Sequence, residues 1–240
     1  MDIFEIKNLT CGYQRDVDIV KNFSMKVVKN TVVTILGPNG AGKSTILKAI
    51  FGALHPREGK ILFKDQEITG LTPYRVKGKG ISLIPQSSST FPYMSVGENI
   101  KMGAWTLRKN KRQYQERLER IYADFPILAE MKQKQAAFLS GGQQKMLEIA
   151  KGVITPTELL LIDEPSAGLA PKIAKQVYQW ALEFKKEASI ILVDQDIRSA
   201  VEISDYIYFI RLGENHVEGP KGEIESRLDD IVYSCLTDAA

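Results

Sequence analysis

Apolar and polar residues follow one another along the chain in two patterns, which predict short strands and longer amphipathic helices. Short apolar runs rich in Val, Ile, Leu and Phe predict strands at 4–9, 23–28, 31–36, 59–63, 81–84, 159–163 and 189–193. Apolar residues spaced three or four positions apart predict helices at 43–51, 96–105, 112–122 and 172–186, with another after Ser140. The chain is therefore expected to begin with a β-rich part and to continue as an α/β fold.

Two of the predicted strands, 159–163 and 189–193, are apolar at nearly every position instead of alternating between apolar and polar residues. Continuous apolar runs of this length are typical of strands that are buried on both faces. The segment 172–186 lies between them and is interpreted as the crossover helix that joins them. This arrangement predicts parallel strands at the centre of the fold.

A long helical stretch interrupts the succession of strands and predicts a subdomain. No strand is predicted between about residues 86 and 138, whereas strands are predicted on both sides of this stretch. Proline and glycine fall between elements, and no repeat, low-complexity tract or long linker divides the chain. We therefore expect one domain over residues 1–240, in which 1–85 and 139–240 form a β subdomain and a core, and 86–138 form an inserted helical subdomain.

The overall composition argues against several classes of function. With 240 residues, 44% hydrophobic residues, 25% charged residues and a net charge of +3, the chain has the composition of an ordinary soluble protein. Its basic residues are interspersed with acids, and the basic run 108–112 lacks interleaved aromatic residues, so we expect no nucleic-acid partner. The apolar runs are far shorter than the roughly 20 residues of a membrane span. A role at a membrane would therefore depend on a partner.

The cysteines, the histidines and the N-terminal segment carry no signal of their own. Cys11 and Cys235 lack metal-ligand spacing, which predicts reduced thiols in a cytosolic protein. The N-terminal residues contain no basic segment followed by an apolar stretch, so we expect no export. His55 and His216 lie in segments that resemble turns and are interpreted as surface residues.

The first chemical motif is a phosphate loop. Residues 37–45 read GPNGAGKST, which fits the pattern G-x-x-x-x-G-K-[ST] between a predicted strand and a predicted helix. Lys43 is expected to reach the β- and γ-phosphates of a nucleotide, and the Ser44 hydroxyl is expected to ligate Mg²⁺. The predicted nucleotide contacts of this loop are Gly37, Pro38, Asn39, Gly40, Ala41, Gly42, Lys43, Ser44 and Thr45.

The second motif is a pair of carboxylates at the end of the apolar run 159–163. Asp163 and Glu164 follow a predicted buried strand, and Pro165 ends that strand. Together with a phosphate loop in the same chain, this pair predicts nucleotide hydrolysis. Asp163 would bind Mg²⁺ directly or through water, and Glu164 would orient or deprotonate the attacking water.

A second anion site is predicted about a hundred residues after the phosphate loop. Ser140 is a suitable N-cap, and Ser140, Gly141 and Gly142 would present N–H groups at the start of a helix. The apolar face of this helix consists of Met146, Leu147, Ile149, Ala150, Val153 and Ile154. One nucleotide needs two such helix starts only if they approach its γ-phosphate from opposite sides. Two copies of the chain, or this chain and a similar one, could provide that arrangement.

In this order, the phosphate loop, the segment 139–143 (LSGGQ) and the strand with its two acids resemble the nucleotide-binding subunit of an ABC transporter. The resemblance implies a P-loop NTPase core of ABC type, with an N-terminal antiparallel β subdomain and an inserted helical subdomain. It also implies ATP and Mg²⁺ as ligands, and a second ABC ATPase subunit as partner in a homodimer or heterodimer. In that family two subunits pack head to tail. Ser140, Gly141, Gly142 and Gln143 would then contact the ATP held by the other subunit.

The resemblance adds further positions to the expected site. Tyr13 matches the aromatic residue that stacks on adenine. Gln86 matches the glutamine that touches Mg²⁺ and the attacking water and that links the helical subdomain to the core. Residues 166–171 match the loop that crosses the dimer interface, but Ala170 stands where the family commonly has aspartate.

Gln195 is a second departure from the family pattern, which usually has a histidine that contacts the γ-phosphate. Glutamine can donate a neutral hydrogen bond there, but it cannot become cationic. The resemblance therefore leaves Glu164 as the catalytic base and gives Gln195 and Gln86 supporting catalytic positions.

At these positions the sequence resembles the ATPases of branched-chain amino acid importers. Gln195, the segment 168–171 (GLAP), Phe91 followed by Pro92, and the short tail 223–236 all fit that subfamily. The resemblance then implies transmembrane permease subunits as direct partners and a substrate-binding protein as an indirect one. It places the protein in the cytoplasm, peripheral on the inner face of the cell membrane, with the helical subdomain around 91–99 receiving a cytoplasmic helix of the permease.

Three other functions are open at this point. The chain could serve an ABC exporter, or a non-transport ABC ATPase that acts on ribosomes or nucleic acid. It has one nucleotide domain and no sustained heptads, whereas the translation factors of that fold carry two domains and the chromosome ATPases insert a long coiled coil. A simple phosphate-loop kinase or GTPase would leave 139–143 unexplained.

Overall fold

The computed structural model describes residues 1–14 and 16–231 of the chain. The strands are β1 (Asp2–Cys11), β2 (Val20–Val28), β3 (Val32–Leu36), β4 (Glu58–Phe63), β5 (Gln66–Glu67), β6 (Ile81–Ile84), β7 (Leu159–Asp163), β8 (Ser189–Val193), β9 (Tyr206–Arg211) and β10 (Glu214–Pro220). The helices are α1 (Lys43–Ile50), α2 (Pro73–Gly78), α3 (Val96–Gly103), α4 (Lys111–Asp124), α5 (Pro126–Glu130), α6 (Gly141–Val153), α7 (Pro171–Phe184), α8 (Ile197–Ile203) and α9 (Lys221–Ser226).

The strands form two sheets. The N-terminal sheet has the order β2-β1-β4-β5, and its neighbouring strands are antiparallel. The central sheet has the order β10-β9-β3-β8-β7-β6, in which β9, β3, β8, β7 and β6 are parallel and β10 is antiparallel to β9. The carboxyl ends of β3, β6, β7 and β8 therefore meet at one edge, where ligands bind in open α/β sheets.

The central strands are apolar at successive positions because both faces of the sheet are covered. In β8, Ile190 and Leu192 belong to one hydrophobic cluster, which includes residues of α6 and α7. Ile191 and Val193 face the opposite cluster, which includes residues of α1 and of the N-terminal sheet. This two-sided burial explains why β7 and β8 lack a polar face, as the sequence pattern predicts.

The segment between β6 and β7 contains α3, α4, α5 and α6 and two short 3₁₀ turns, Trp105–Leu107 and Ala136–Phe138. α3 packs on α6 and begins with a capping box between Ser95 and Glu98. Inside this segment the fully buried side chain of Asn99 binds the N–H and C=O of Phe91 and the carbonyls of Met94 and Ser95. The turn at 91–95 is therefore held in a defined conformation.

The structure confirms the expected α/β fold class and departs from the predicted elements in several places. The helix predicted at 96–105 ends at Gly103, and β9, β10, α5 and α8 were not predicted. His216 lies in strand β10, so its placement in a turn-like segment was wrong, although its side chain is exposed as expected. Among the described residues, no helix is both long enough and apolar enough to cross a membrane.

Candidate nucleotide site

The phosphate loop leads from β3 into α1 and leaves the start of that helix without a side-chain cap. Gly42 is the N-cap residue, with a φ of 103°, and no side chain bonds to the N–H groups of the first turn. A Cβ at Gly42 would lie 3.2 Å from the carbonyl oxygen of Ile19, and one at Gly37 would lie 2.3 Å from that of Ile210. Glycine is therefore required where the loop passes closely over its neighbours. The uncapped N–H groups suit a phosphate.

The ammonium group of Lys43 lies on the inner side of this loop. Its Nζ donates hydrogen bonds to the carbonyls of Gly37 at 2.8 Å and of Pro38 at 3.0 Å. Burial lowers the pKa of Lys43, and the nearby carboxylates of Glu164, Asp163 and Asp194 act in the opposite direction. A buried cation surrounded by loop backbone is well placed to receive phosphate oxygens.

Ser44 and Asp163 provide oxygen ligands on the sheet side of the loop. Ser44 Oγ donates a hydrogen bond of 2.9 Å to Asp163 Oδ1. The Asp163 carboxyl is buried, and this burial is the main cause that raises its pKa, while the hydrogen bond from Ser44 lowers it. A hydroxyl and a carboxylate are ligands that Mg²⁺ prefers. The residues present therefore fit a magnesium ion.

Glu164 is held by two glutamines from different strands. Its Oε2 accepts hydrogen bonds from Gln86 Nε2 at 2.5 Å and from Gln195 Nε2 at 2.7 Å. Gln86 follows β6 and Gln195 follows β8, and the two strands flank β7, which ends just before Glu164. The three candidate catalytic residues thus meet at one carboxylate oxygen.

The backbone of Glu164 has an unusual conformation. Its φ is 48°, in the left-handed region that non-glycine residues rarely adopt, and its N–H donates a hydrogen bond of 2.7 Å to the carbonyl of Val193. The residue is only 5% exposed. Such backbone strain is concentrated at functional sites, where the surrounding structure must enforce it.

Tyr13 lies beside the helix that follows the phosphate loop. Its hydroxyl accepts a hydrogen bond of 3.0 Å from Lys48 Nζ, which also lies 5.2 Å from the centre of the ring. Lys48 belongs to α1, and the side chain of Tyr13 is 55% exposed. The ring thus has an accessible face close to the predicted phosphate site, as adenine stacking would require.

The second predicted anion site has a different construction. Ser140 caps α6: its Oγ accepts a hydrogen bond of 3.4 Å from the Gln143 N–H, and Gln143 Oε1 accepts one of 2.9 Å from the Ser140 N–H. The predicted N-cap is therefore confirmed. Ser140 and Gly141 are exposed to solvent. In the described part of the chain, no hydrogen bond joins this helix start to the phosphate loop.

The loop between Glu164 and α7 ends without a side-chain cap. Ala170 is the N-cap residue of α7, where alanine offers no hydrogen-bond acceptor, and Pro171 occupies the first helical position. Gly168 has a φ of 72°. Ala170 is exposed to solvent, as is Gly168.

Sequence reasoning missed Asp194, which is buried directly beside the site. Its carboxylate accepts hydrogen bonds from Ser166, Tyr178 and the backbone after β8. A signal was available, because Asp194 follows an apolar strand just as Asp163 ends one. The two carboxylates lie at the same edge of the sheet, since β7 and β8 are parallel neighbours.

Comparisons with known proteins agree with this geometry. The sequence pattern of the family described as "ABC transporter" matches residues 20–167. A probable branched-chain amino acid transport ATP-binding protein LivF from Archaeoglobus fulgidus is 33% identical over 218 residues, which cover 90% of this chain and 91% of that protein. The phosphate import ATP-binding protein PstB from Thermotoga maritima is 33% identical over 239 residues, covering 94% and 93%.

A solved structure of the same type superposes over almost the whole chain. The ADP conformation of an ATP-binding cassette from an ABC transporter has a TM-score of 0.88 and 28% sequence identity, and the match covers 98% of both chains. This result and the family match confirm the resemblance inferred from the motifs. The chain belongs to the ABC transporter family and is an ATPase of the ATP-binding cassette type.

Proposed function

We propose that the chain is the ATP-hydrolysing subunit of an ABC importer and that it powers uptake of branched-chain or related amino acids. The observation that carries the proposal is the meeting of Gln86, Glu164 and Gln195 at one carboxylate oxygen, next to a phosphate loop. The relatives described above are import or transport ATP-binding proteins, which supports an importer.

Fewer observations support amino acids as the transported substrate than support an importer. A branched-chain amino acid relative and a phosphate relative have the same 33% identity to this chain. Gln195 and the segment 168–171 favour the amino acid importers, through the resemblance of these positions to that subfamily. The transported molecule itself would contact a substrate-binding protein and the permease subunits, so no residue of this chain selects it directly.

The residues of the site have different roles in the proposed reaction. The N–H groups of α1 and the ammonium of Lys43 bind the β- and γ-phosphates of ATP. Ser44 and Asp163, with the amide oxygen of Gln86, would hold Mg²⁺, which would supply positive charge that offsets the charge of the phosphates. Glu164 orients the attacking water and accepts its proton.

Gln195 acts differently from a histidine in this scheme. Its amide donates a hydrogen bond to Glu164 and neither gains nor loses a proton, so it orients the base and takes no part in proton transfer. The proton that Glu164 accepts therefore does not pass to Gln195, and it must leave to the product phosphate or to solvent before the next turnover. Turnover is expected to depend on Glu164 more than on either glutamine.

The exposed start of α6, which lies within the segment 139–143 (LSGGQ), supports a second subunit as partner. Ser140 and Gly141 are exposed and Gly142 is half-buried at this helix start, and Phe138 beside them is also exposed. Among the residues that the structure describes, they form no hydrogen bond to this chain's own phosphate loop. We infer that this segment closes over the ATP of a second ABC ATPase subunit, either an identical chain or a related one. Two shared sites of this kind form in a head-to-tail dimer.

The permease would dock on the helical segment. Phe91 and Tyr93 are 43% and 84% exposed on the turn that Asn99 holds in place. Next to them lies a groove of about 690 Å³ whose lining includes Met102 and Trp105. This preformed surface, which combines apolar with charged side chains, supports contact with a short cytoplasmic helix, and it would keep the subunit at the inner face of the membrane.

The test of this proposal uses the Glu164→Gln variant and an exposed Glu119→Gln control. We expect ATP turnover of the first variant to fall about 10²-fold or more, the scale of a lost general base, while its ATP affinity is unchanged. The ATP-bound variant should accumulate as a dimer in light scattering. If Glu164→Gln hydrolysed ATP at the wild-type rate, the assignment of the base would be wrong.

The partners are tested with the same variant. Tagged Glu164→Gln protein is isolated with ATP from gently solubilised cells, and the proteins that come with it are identified by mass spectrometry. Recovery of polytopic membrane proteins together with an amino-acid-binding protein supports the importer. Recovery of ribosomes or DNA-bound proteins without membrane subunits would leave the ATPase in place and overturn transport. A monomer at saturating ATP and Mg²⁺ would exclude the homodimer and leave a heterodimer with a related ATPase.

A further inference from the structure

Asp194 is a buried carboxylate that connects two segments of the site. It is 1% exposed and lies between β8 and Gln195. Its Oδ1 accepts hydrogen bonds from the N–H groups of Gln195 at 2.7 Å and of Asp196 at 3.0 Å. These bonds fix the backbone from which the side chain of Gln195 extends toward Glu164.

The same carboxylate also holds the loop that follows Glu164. Ser166 Oγ donates a hydrogen bond of 2.8 Å to Asp194 Oδ1, and Tyr178 OH donates one of 2.8 Å to Asp194 Oδ2. Ser166 is two residues after Glu164, while Tyr178 lies on α7, the helix into which this loop leads. Asp194 therefore joins three segments that come from different parts of the sequence.

The donors around Asp194 are arranged for a charged acceptor. The carboxylate receives four hydrogen bonds, and no ion pair is formed by it among the residues that the structure describes. Burial raises the pKa of Tyr178, so its hydroxyl stays a neutral donor. A buried carboxylate is stable only when such donors compensate for its lost hydration. If packing were its only role, an apolar residue of similar size would fill the space at lower cost.

We propose that Asp194 is a positioning residue for hydrolysis: it fixes Gln195 and the loop from Glu164 to Ala170 relative to each other, so that Gln195 holds the Glu164 carboxylate in its reactive orientation. The assignment rests on the proposed role of Glu164 as base. Asp194 touches neither ATP nor the attacking water in this scheme, and it acts through Gln195. Because Ala167, Gly168 and Ala170 of this loop are exposed at the surface proposed to meet the second subunit, the same contacts would transmit the binding of that subunit to Glu164.

The first experiment measures steady-state ATP hydrolysis by Asp194→Asn, Tyr178→Phe and a control, Tyr206→Phe, whose hydroxyl bonds to Glu218 away from the site. We expect Asp194→Asn to lower kcat by about tenfold to a hundredfold with KM for ATP changed less than twofold. Tyr178→Phe removes one of the four bonds and should lower kcat by about threefold to tenfold. Tyr206→Phe should match the wild type.

A double-mutant cycle distinguishes positioning from a merely structural role. Once Gln195→Ala has removed the side chain that Asp194 orients, adding Asp194→Asn should change kcat by less than about twofold. If the reductions in kcat of the two single variants multiplied in the double variant, the proposal would be overturned. It would also be overturned if Asp194→Asn and Tyr178→Phe left kcat unchanged, or if they lowered ATP affinity and melting temperature together with kcat.

The outcome can be separated from that of the proposed function. Glu164→Gln is measured in the same assay, and its loss of turnover tests the base independently of Asp194. If Glu164→Gln were inactive while the cycle gave multiplied effects, only the positioning role would be wrong. Should Asp194→Asn fold poorly, Tyr178→Phe combined with Gln195→Ala provides the same cycle, because phenylalanine keeps the ring of Tyr178 in the core.

Discussion

The starts of α1 and α6 are both expected to bind phosphate, yet they are built in opposite ways. α1 begins at Gly42, has no side-chain cap, and buries Lys43 and Thr45 in its first turn. α6 begins at Ser140, whose side chain and that of Gln143 close a capping box at an exposed position. The N–H groups at the start of α1 stay available for a ligand held within this chain. At the start of α6, side chains already accept some of the hydrogen bonds, and this start faces solvent.

The difference shows how a helix start can contribute to a proposed site that forms only when a second subunit binds. Uncapped N–H groups cost free energy unless a ligand or water satisfies them. At α1 the phosphate loop surrounds the ligand position, so the N–H groups and Lys43 converge on one place. At α6 the serine cap stabilises the helix when no second subunit is present. Substitutions at the two starts should therefore separate ATP binding from ATP turnover.

The largest effect is expected for Lys43→Ala at the first helix start. It removes a charge-assisted contact to phosphate, which lowers ATP affinity by about tenfold to a hundredfold and abolishes measurable turnover. Isothermal titration calorimetry and a phosphate-release assay measure the two quantities. Lys60→Ala, an exposed lysine of β4, is the matched control. Unchanged affinity in Lys43→Ala would mean that this loop does not hold the phosphates.

At the second helix start, Gly141→Asp should leave ATP binding intact and block turnover. A Cβ at Gly141 meets no atom within 4 Å, so this chain accommodates the side chain. In the dimer the added carboxylate would face the γ-phosphate of the other subunit, and we expect kcat to fall at least about tenfold. Gly222→Asp, where a Cβ also lies in open space, is the control. Wild-type turnover in Gly141→Asp would mean that the segment 139–143 does not contact the nucleotide.

Tyr13→Ala tests whether the first site extends to the base of the nucleotide. Stacking on an aromatic ring contributes about 1–3 kcal/mol per base, so ATP affinity should fall about fivefold or more. Tyr13→Phe keeps the ring and loses the hydroxyl that Lys48 contacts, and it should bind ATP nearly as well as the wild type. Equal losses in both variants would show that the hydroxyl and not the ring is important.

The smallest effect concerns the cap itself. Ser140→Ala loses a helix cap worth about 1 kcal/mol, which corresponds to a fall in Tm of about 2–4 °C for a chain of this size. Ser140→Asp restores a good cap but brings a negative charge to the proposed phosphate contact. We expect differential scanning calorimetry to show recovered stability in Ser140→Asp, while turnover stays low. Recovery of both would indicate that Ser140 acts only as a cap.

Sequence patterns predicted the parts of the fold that local chemistry determines. The two buried strands β7 and β8 were predicted with their observed bounds because they are apolar at nearly every position and end abruptly at polar residues. The N-cap at Ser140 and the strand–loop–helix at 31–51 were likewise evident, since caps and glycine-rich turns leave local signals.

The remaining features depend on contacts between distant residues. Gln86 and Gln195 share one oxygen of Glu164 because β6 and β8 flank β7, an order that the sequence does not contain. In the sequence, Asn99 looks like an ordinary helix residue. Only the structure shows that its buried side chain holds the turn at 91–95 by hydrogen bonds. β9 carries an apolar run that a strand prediction could have included, whereas β10 is largely exposed and polar.

The position of β8 has a consequence for how the protein is made. β3, which leads into the phosphate loop, and β7, which ends at Asp163, are not neighbours in the sheet, because β8 is hydrogen-bonded between them. During synthesis β3 and β7 both leave the ribosome before β8 does, and domains generally fold as units in that process. We therefore expect the bond between Ser44 and Asp163 to form only after residues 189–193 have emerged. We therefore expect the nascent chain to be unable to hydrolyse ATP until residues 189–193 have been translated.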